Sequence, residues 1–361
     1  MFQKNDYFCH PIHSQHTRRN MRKILLIYTG GTIGMTENAI TGSLESFDFN
    51  HLLHHIPELQ RLNVSISTCT FTPPIDSSDM EPSQWRKLVG IIADNYDKYN
   101  GFVILHGTDT MAYTASALSF MLEGLAKPVI LTGSQLPIGK LRTDGKENLI
   151  TAIEIAAAYD EDDKPIVPEV SVFFHDKLLR GNRITKASAD GFDAFESFNY
   201  PHLASAGVEI EYRTEHIQPI PVDKSFMPHY DMDTNIIIFS LFPGIQPAIV
   251  QKMLTTPELK GIIFRTFGAG NAPQQRWLVD MLAEATQRGM VIVNITQCTG
   301  GSVVMQRYET GRQLLEAGVV SGYDSTVEAA LTKLMFLFGQ GSSPEQVRCA
   351  MSQSLAGEIT I

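Results

Sequence analysis

Short, unbroken runs of aliphatic residues, each followed by a loop of small polar residues, constrain the fold of this chain more than any other feature. A strand that is apolar on both faces must be covered on both, which is typical of parallel sheets flanked by helices. Helical patterns follow two of the runs, at residues 111–122 and 148–158, with Thr108 or Asp109 near the N-cap of the first. The pattern predicts an α/β fold with a mostly parallel, doubly wound sheet. The runs of this first set are residues 24–27, 64–71, 102–105, 129–131 and 170–174.

A second set of runs comes after residues 213–234, where prolines and charged residues show no periodicity. We interpret residues 213–232 as a linker between a larger N-terminal catalytic α/β domain at 21–212 and a smaller C-terminal α/β domain at 233–361. Residues 1–20 are polar and histidine-rich and are expected to be a disordered extension. A length of 361 residues agrees with two domains. The second domain is expected to have strands at 236–239, 262–264 and 291–293, and helices at 274–287 and 325–338.

Composition and charge exclude several classes of protein. The net charge of -10 repels phosphate backbones, so we expect no nucleic-acid partner. Hydrophobic residues make up 43% of the chain, enough for a full core, yet no run of about 18 apolar residues suggests a membrane span. The cysteines are far apart and form no C-x-x-C pair, which indicates a reducing compartment with free thiols. They are Cys9, Cys69, Cys298 and Cys349.

The N-terminal region offers two patterns that we interpret conservatively. Basic residues precede the apolar run at 24–27, but that run is too short for a signal peptide, so we interpret it as the first core strand with Met21 as an alternative start. His10, His13 and His16 have a spacing that binds metal only weakly in a disordered tail. We therefore expect neither a metal nor a cofactor.

The polar loops are expected to lie together, because ligands of open parallel sheets bind beyond the carboxyl ends of the strands. Asp109 can hold an ammonium group, while serine hydroxyls and backbone N–H groups can hold a carboxylate, so the set suits a small zwitterion. Alternatively, these residues merely end strands and cap helices. The loop at 29–34 lacks the spacing of a phosphate loop or a dinucleotide fingerprint. The loops carry Thr29, Thr32, Ser77, Ser78, Asp79, Thr108, Asp109, Thr110, Thr132, Ser134 and Gln135.

Several of these segments resemble a known family. Residues 28–34 and 106–113 resemble the two signatures of the bacterial-type L-asparaginases. Further segments resemble the cytoplasmic type I branch, and the resemblance runs from about Met21 to the C-terminus. It implies an amidohydrolase that converts L-asparagine to L-aspartate and ammonia, is located in the cytoplasm and forms a homodimer or homotetramer. The supporting segments are residues 76–80, 132–135, 183–186 and 189–195.

The resemblance also implies roles at the matched positions. Thr32 would be the nucleophile on a mobile loop, and Thr108, Asp109 and Lys186 would form a second catalytic set. Ser77 and the amides around it would bind the substrate α-carboxylate, Asp109 would bind the α-ammonium group, and Ser134 or its backbone would lie near the amide. The substrate-binding positions are Gly31, Asp76, Ser77, Ser78, Gly107 and Ser134.

Thr32 needs a base to accept its proton, because a threonine hydroxyl is a poor nucleophile by itself. Lys186 can serve only in its neutral form, and by sequence alone it could equally be a surface lysine. Relatives generally place a tyrosine on the lid after the nucleophile, whereas residues 35–50 contain none and offer hydroxyls such as Thr36, Thr41 and Ser43. The choice of base therefore stays open between Lys186 and a lid group.

The type I branch further implies an allosteric asparagine site in the C-terminal domain. The matching positions are Arg265 and the segment Thr296, Gln297 and Cys298. An arginine can hold a carboxylate through two parallel hydrogen bonds, which gives this assignment a physical basis. Cys298 could otherwise be a small buried hydrophobic residue.

Two classes of function compete with the asparaginase. A glutaminase would act on a substrate that is longer by one methylene. The amidase component of a transfer-RNA amidotransferase usually carries an added N-terminal domain, and the roughly twenty extra residues here leave little room for one. A non-catalytic amino-acid sensor would keep the binding loops without the reaction. The joint presence of Thr32, Thr108, Asp109 and Lys186 favours an enzyme.

Overall fold

The structure of the chain, a computed structural model, describes residues 9–11, 21–37, 44–46 and 56–361. The lid positions Thr41 and Ser43, as well as His13 and His16, lie outside these residues. The chain separates into two compact units by its internal contacts. The first comprises Met1–Ser197 and Pro201–His229, and the second comprises Phe198–Tyr200 and Tyr230–Ile361.

The first unit is built on a nine-stranded sheet with helices and short paired strands around it. Its described strands are β1 (Cys9–Pro11), β2 (Arg22–Gly30), β3 (Met35–Glu37), β4 (Leu44–Ser46), β5 (Val64–Ile75), β6 (Gly101–Leu105), β7 (Leu122–Glu123), β8 (Val129–Thr132), β9 (Val170–Phe174), β10 (Lys177–Arg180), β11 (Thr185–Lys186), β12 (Phe195–Glu196), β13 (Ala204–Ala206), β14 (Ile210–Tyr212) and β15 (Met227–Pro228). Among the described residues, its α-helices are α1 (Pro82–Asn95), α2 (Met111–Met121) and α3 (Gly145–Ala156).

The centre of this sheet is parallel, as the apolar runs predict. The strands lie in the order β1-β5-β2-β6-β8-β9-β10-β13-β14, and neighbours from β5 to β9 are parallel. β6 and β8 are buried along their whole length, and β2 is buried from residue 24 onward. The direction in which successive strands are added reverses between β2 and β6, so this pair is the switch point where a doubly wound sheet opens a crevice for ligands.

The edges of the sheet are antiparallel and were not predicted. β10, β13 and β14 extend one side, and β1 pairs with β5 on the other, placing Cys9 opposite Cys69. Cys9–Pro11 therefore form a strand where the sequence predicts disorder, while the rest of residues 1–20 lies outside the described residues. Strands this short have too few residues to show a period of two, which is why the sequence pattern gives no sign of them.

The segment predicted to be a linker belongs largely to the first unit, which extends to His229. A buried ion pair explains why. Arg180 Nε lies 2.7 Å from Glu169 Oε2, Arg180 donates to the carbonyl of His216 at 2.8 Å, and Glu169 accepts the backbone N–H of Gln218 at 2.8 Å. These bonds join residues far apart in sequence, so the absence of periodicity in the segment does not reveal them.

The second unit has a four-stranded parallel sheet in the order β16-β17-β18-β19, which confirms the α/β prediction. Leu278, Leu282 and Ala285 lie on one face of a helix, at positions i, i+4 and i+7, and belong to a core cluster that includes Phe264 and Ile292. The strands are β16 (Ile236–Ser240), β17 (Gly261–Thr266), β18 (Val291–Thr296) and β19 (Val320–Ser321). The helices are α4 (Pro247–Leu254), α5 (Arg276–Gln287), α6 (Glu309–Glu316), α7 (Val327–Gly339) and α8 (Pro344–Met351).

A buried ion pair fixes the C-terminal segment of the second unit. Lys333 Nζ on α7 lies 2.6 Å from Glu358 Oε1, and both side chains are at most 1% exposed. Glu358 also accepts the backbone N–H groups of Leu355 and Ala356. Burial lowers the pKa of Lys333, while the charge of Glu358 opposes that shift. Each charge is therefore retained in the interior only because the other compensates it.

We predict that Lys333→Met lowers the free energy of unfolding by about 3–5 kcal/mol, because it leaves the Glu358 carboxylate buried without its cation. Lys252→Met, at an exposed position of α4, is the matched control and should change stability by less than about 0.5 kcal/mol. Urea unfolding followed by circular dichroism measures both. Equal midpoints for the two variants would contradict the importance of this pair.

Candidate active site

Two glycines bring the loops at the switch point into backbone contact. Gly31 follows β2 with φ of 89°, a conformation that favours glycine. A Cβ atom on Gly31 would lie 2.5 Å from the backbone N and Cα of Gly107, which follows β6. No side chain fits in this space, so Thr32 and Thr108, each the next residue in its loop, are brought to neighbouring positions.

The loop after β5 lies against the same contact. A Cβ atom on Gly107 would lie 2.5 Å from Ser77 Oγ, and Ser77 is only 4% exposed. The hydroxyl of Thr110 donates to the carbonyl of Ser77 at 2.6 Å. Asp76 accepts the backbone N–H and the hydroxyl of Ser78, both at 2.9 Å, and these bonds hold the pKa of Asp76 below its usual value. Asp76 thus shapes the short 3-10 turn Ser77–Asp79.

Lys186 joins the two polar residues that follow Gly107. Its Nζ donates to Thr108 Oγ1 at 2.9 Å and lies 2.6 Å from Asp109 Oδ1. The lysine side chain is 20% exposed, whereas that of Asp109 is 62% exposed. Lys186 is therefore held inside the loop cluster rather than lying free on the surface. The N-cap of α2 is Thr110, directly after Thr108 and Asp109, whose side chains contact Lys186.

Thr32 begins a 3-10 turn, Thr32–Gly34, directly beyond β2 and is partly exposed. Tyr28 lies beneath this turn, 1% exposed, and its hydroxyl donates to the carbonyl of Gly34 at 3.2 Å. Burial raises the pKa of Tyr28 to about 12. A Cβ atom on Gly34 would lie 2.2 Å from the Tyr28 hydroxyl, so the turn packs directly on the ring. Tyr28 therefore supports the backbone of the loop that carries Thr32 from the strand side.

The loop after β8 is held by Asp144. Its carboxylate accepts the backbone N–H groups of Gln135, at 3.0 Å, and Leu136, at 3.1 Å. The hydroxyl of Ser134 donates to the carbonyl of Leu136 at 2.6 Å, so it is engaged within its own loop. Ser134 is buried, and its Cβ lies within 3.2 Å of the position that a Cβ on Gly145 would occupy. If Ser134 contacts a ligand, its backbone is better placed to do so than its hydroxyl.

A buried chain of hydrogen bonds supports Gly107 from inside the unit. His106 is fully buried, and its Nδ1 lies 2.7 Å from the carbonyl of Gly107, so Nδ1 must carry the proton. Its Nε2 then accepts the hydroxyl of Thr114 at 2.9 Å, and Thr114 accepts the indole N–H of Trp85 at 3.0 Å. Burial lowers the pKa of His106 to about 4, with the bond to Gly107 opposing the shift. The imidazole is therefore neutral at pH 7.

The four predicted allosteric positions also lie together, at the carboxyl edge of the sheet in the second unit. Arg265 is on β17, and its Nη2 lies 3.5 Å from the carbonyl of Gln297, the residue after β18. The hydroxyl of Thr296 accepts the backbone N–H of Cys298 at 3.0 Å. Arg265 Nε is buried and has no hydrogen-bond partner among the described residues. Cys298 is exposed, so the alternative that it is a small buried hydrophobic residue is wrong.

Sequence reasoning did not identify the supports of the site. Trp85, Thr114 and Asp144 act through contacts with residues 8 to 29 positions away, and no local pattern marks such contacts. Within the described residues, no group of three or more His, Cys, Asp or Glu side chains has a geometry that could hold a metal ion. In the same part of the chain, no helix is long and apolar enough to cross a membrane.

Comparisons with known proteins match the chain in both units. The family model "Asparaginase, N-terminal" matches residues 23–218, and "Glutaminase/Asparaginase C-terminal domain" matches residues 235–351. L-asparaginase 1 of Escherichia coli is 47% identical over 341 residues, covering 94% of this chain and 98% of that protein. The crystal structure of L-asparaginase I from Vibrio cholerae has a TM-score of 0.86 at 44% identity, covering 95% of this chain and 100% of that one. The L-asparaginase of Thermococcus kodakarensis is 36% identical over 344 residues, covering 94% of this chain and 99% of that protein.

The fold and the loop cluster at the switch point define a two-unit α/β amidohydrolase. The family models together span most of the chain, and the identities to full-length relatives are well above 30%. The chain belongs to the asparaginase family. The resemblance drawn from the loop motifs is confirmed.

We predict that the neutral, buried state of His106 makes the protein less stable in acid. The unfolded chain binds a proton at this histidine below about pH 6.5, whereas the folded protein does so only near a pKa of about 4. Stability therefore falls as the pH decreases through this interval, by up to roughly 3 kcal/mol. His106→Gln should remove this part of the loss. Urea unfolding of both proteins at pH 7 and pH 4.5 measures the difference, and parallel declines would contradict the assignment.

Proposed function

We propose that this chain hydrolyses L-asparagine to L-aspartate and ammonia, with Thr32 as the nucleophile and an acyl-threonine intermediate. The observation that carries the proposal is the contact of Lys186 with Thr108 and Asp109, 2.9 and 2.6 Å away, beside the backbone contact of Gly31 and Gly107. Such a cluster combines hydroxyls, an amine and a carboxylate at a ligand-binding edge. Relatives at 47% and 44% identity bear the name L-asparaginase.

Substrate binding follows from the charges of the loops. The Asp109 carboxylate is 62% exposed and has one oxygen on Lys186, which leaves it able to accept the α-ammonium group of asparagine. The backbone N–H and the hydroxyl of Ser78 both donate to Asp76, so we assign the α-carboxylate to the hydroxyl and backbone N–H of Ser77 in the same loop. Both ends of the zwitterion would then be held, which positions the side-chain amide toward Thr32.

The reaction would proceed in two steps. The Thr32 hydroxyl attacks the amide carbon, its proton passes by way of a base to the amide nitrogen, and ammonia leaves as the acyl-threonine ester forms. Water then attacks the ester, releasing L-aspartate and restoring the Thr32 hydroxyl. Backbone N–H groups near Gly31 and Gly107 would stabilise the oxyanion in both steps.

The base that activates Thr32 stays open between Lys186 and a group on the lid. Lys186 can accept a proton only as a neutral amine, and its contact with Thr108 offers a route through that hydroxyl. Tyr28 donates to the carbonyl of Gly34 inside the sheet, which argues against its taking the place of a lid tyrosine. The candidate lid hydroxyls are mostly outside the described residues.

Three further properties belong to this proposal. We infer a cytoplasmic location from the absence of paired cysteine motifs. We infer a homodimer or homotetramer, since the edge strand β16, the turn after it and helix α4 expose apolar side chains that a second copy can cover. These are Ile238, Phe242 and Ile249, which are 39%, 54% and 63% exposed. The reaction uses no metal or cofactor in this proposal, because the loops already supply a nucleophile and charged groups.

We expect Thr32→Ala to lower kcat for ammonia release from asparagine by at least about 10³-fold while leaving the melting temperature unchanged. Thr256→Ala, at an exposed position of the second unit, is the matched control and should keep full activity. Initial rates on asparagine and on glutamine are measured side by side, because one methylene changes kcat/KM by roughly 10- to 200-fold in a tight pocket. Higher kcat/KM on glutamine supports a glutaminase, no release from either amide supports a sensor, and full activity of Thr32→Ala refutes the nucleophile.

We also propose that asparagine activates the enzyme at Arg265, Thr296, Gln297 and Cys298. The buried Arg265 Nε has no hydrogen-bond partner within the part of the chain that the structure describes, and a carboxylate would satisfy it, which supports this proposal. Wild-type rates should then rise sigmoidally with asparagine concentration. Arg265→Ala should give a hyperbolic curve while catalysing the same reaction. Arg276→Ala, an exposed arginine of α5, is the control. A hyperbolic wild-type curve would count against the site.

A further inference from the structure

We propose that Gln135 is a positioning residue, which orients the hydroxyl of Thr108 against Lys186 and fixes the loop that follows Lys186. This inference rests on the proposed function, since it concerns the second hydroxyl–amine–carboxylate set of that reaction. Three contacts of one side chain carry it. Gln135 Oε1 lies 3.4 Å from Thr108 Oγ1, and Gln135 Nε2 donates to the carbonyls of Gly191 at 2.9 Å and Ala189 at 3.3 Å.

The orientation of the Gln135 amide follows from its partners. The carbonyls of Ala189 and Gly191 can only accept hydrogen bonds, so the NH₂ group must face them. The oxygen Oε1 must then face Thr108. Flipping the amide would place Oε1 against two carbonyl oxygens, and so the surroundings select one orientation.

The same logic fixes the Thr108 hydroxyl. A lysine ammonium group has donors and no acceptor, so Thr108 Oγ1 accepts from Lys186 Nζ at 2.9 Å. Its own single proton is therefore directed to Gln135 Oε1. When Lys186 gives up a proton, its lone pair becomes a second acceptor for the proton of Thr108. The Thr108 proton therefore points to Gln135 Oε1 while Lys186 is an ammonium group, and it can point to Lys186 Nζ when the lysine is a neutral amine.

Gln135 also connects to the loop that positions Lys186. Lys186 pairs with Phe195 at the base of this loop, and the backbone N–H of Gly191 is held by Ser188 Oγ at 2.9 Å near its tip. The two N–H bonds of Gln135 reach that tip. Because the Asp144 carboxylate fixes the backbone of Gln135 at 3.0 Å, the side chain extends from a rigid point. One residue therefore links the loops that carry Thr108 and Lys186.

A residue that only stabilises the folded loops would make the same contacts. The test must therefore separate an effect on the orientation of the Thr108 hydroxyl from an effect on folding. Gln135→Met keeps the length of the side chain and removes its acceptor and donors. Gln135→Glu keeps an acceptor oxygen for Thr108 but cannot donate to the loop. Gln246→Met, at an exposed position where the amide donates to the carbonyl of Gly244 in its own turn, is the matched control.

We expect Gln135→Met to lower kcat for asparagine about 10- to 100-fold with KM within about twofold, because a misplaced proton-transfer group affects the transition state more than substrate binding. The Kd for aspartate, measured by calorimetry, should stay within about twofold. Gln135→Glu should keep kcat within about tenfold of wild type, and Gln246→Met should equal wild type. In a Thr108→Val background, measured by single-turnover ammonia release, Gln135→Met should cost less than about twofold, because the hydroxyl it orients is gone.

The outcomes separate clearly. Wild-type kcat in folded Gln135→Met, or full additivity with Thr108→Val, overturns the positioning role while leaving the asparaginase proposal intact. No ammonia release by wild type refutes the proposed function instead. If Gln135→Met loses its cooperative melting transition, the test rests on Gln135→Glu: kcat within about tenfold of wild type agrees with orientation of Thr108 as the main role, and a greater loss in that folded variant overturns orientation as the main role.

Discussion

The backbone contact of Gly31 with Gly107 is the constraint on which the site depends. Adjacent strands lie about 4.8 Å apart, so loops that leave β2 and β6 at the same edge must pass each other at backbone distance. A Cβ on Gly31 would lie 2.5 Å from Gly107, and a Cβ on Gly107 would lie 2.5 Å from Ser77 Oγ. Three loops are therefore stacked without room for a side chain between them. Because the contact excludes side chains at the glycines, the loop positions beside them, Thr32 and Thr108, are brought close along the backbone.

A buried network of hydrogen bonds supports the contact of Gly31 with Gly107 from beneath. His106 holds the carbonyl of Gly107, Thr114 holds the imidazole, and Trp85 holds the hydroxyl of Thr114. The indole N–H of Trp85 can only donate and the carbonyl of Gly107 can only accept, so the direction of all three hydrogen bonds is determined. A fully satisfied polar chain inside an apolar sheet is rigid, since any rotation would leave a buried group unpaired. The stability of the core and the geometry of the loop thus depend on the same bonds.

The parts of the structure that the sequence predicts are those with local causes. Runs such as residues 24–27 and 102–105 predict buried strands because burial on both faces leaves a continuous apolar pattern. The gathering of Thr108 and Asp109 with the other loops follows from the strand-end rule, and Lys186 entered only through the family resemblance. No local sequence pattern predicts the hydrogen bonds between Asp144 and the backbone of Gln135 or between Gln135 and Gly191, because the partners are 9 and 56 residues apart. The structure of the segment after residue 212 depends on the distant Glu169–Arg180 pair in the same way.

Both units place polar residues at the carboxyl edge of a parallel sheet, yet the residue types make the two edges chemically different. The edge of the first unit combines hydroxyls, the carboxylate of Asp109 and the amine of Lys186, so it can hold both ends of a zwitterion and move a proton. The edge of the second unit presents the guanidinium of Arg265 with Thr296 and Gln297, which suits an anion but supplies no amine–carboxylate pair among these residues. The shared architecture therefore determines where a ligand can sit, and the side chains at each edge determine whether it reacts or only binds.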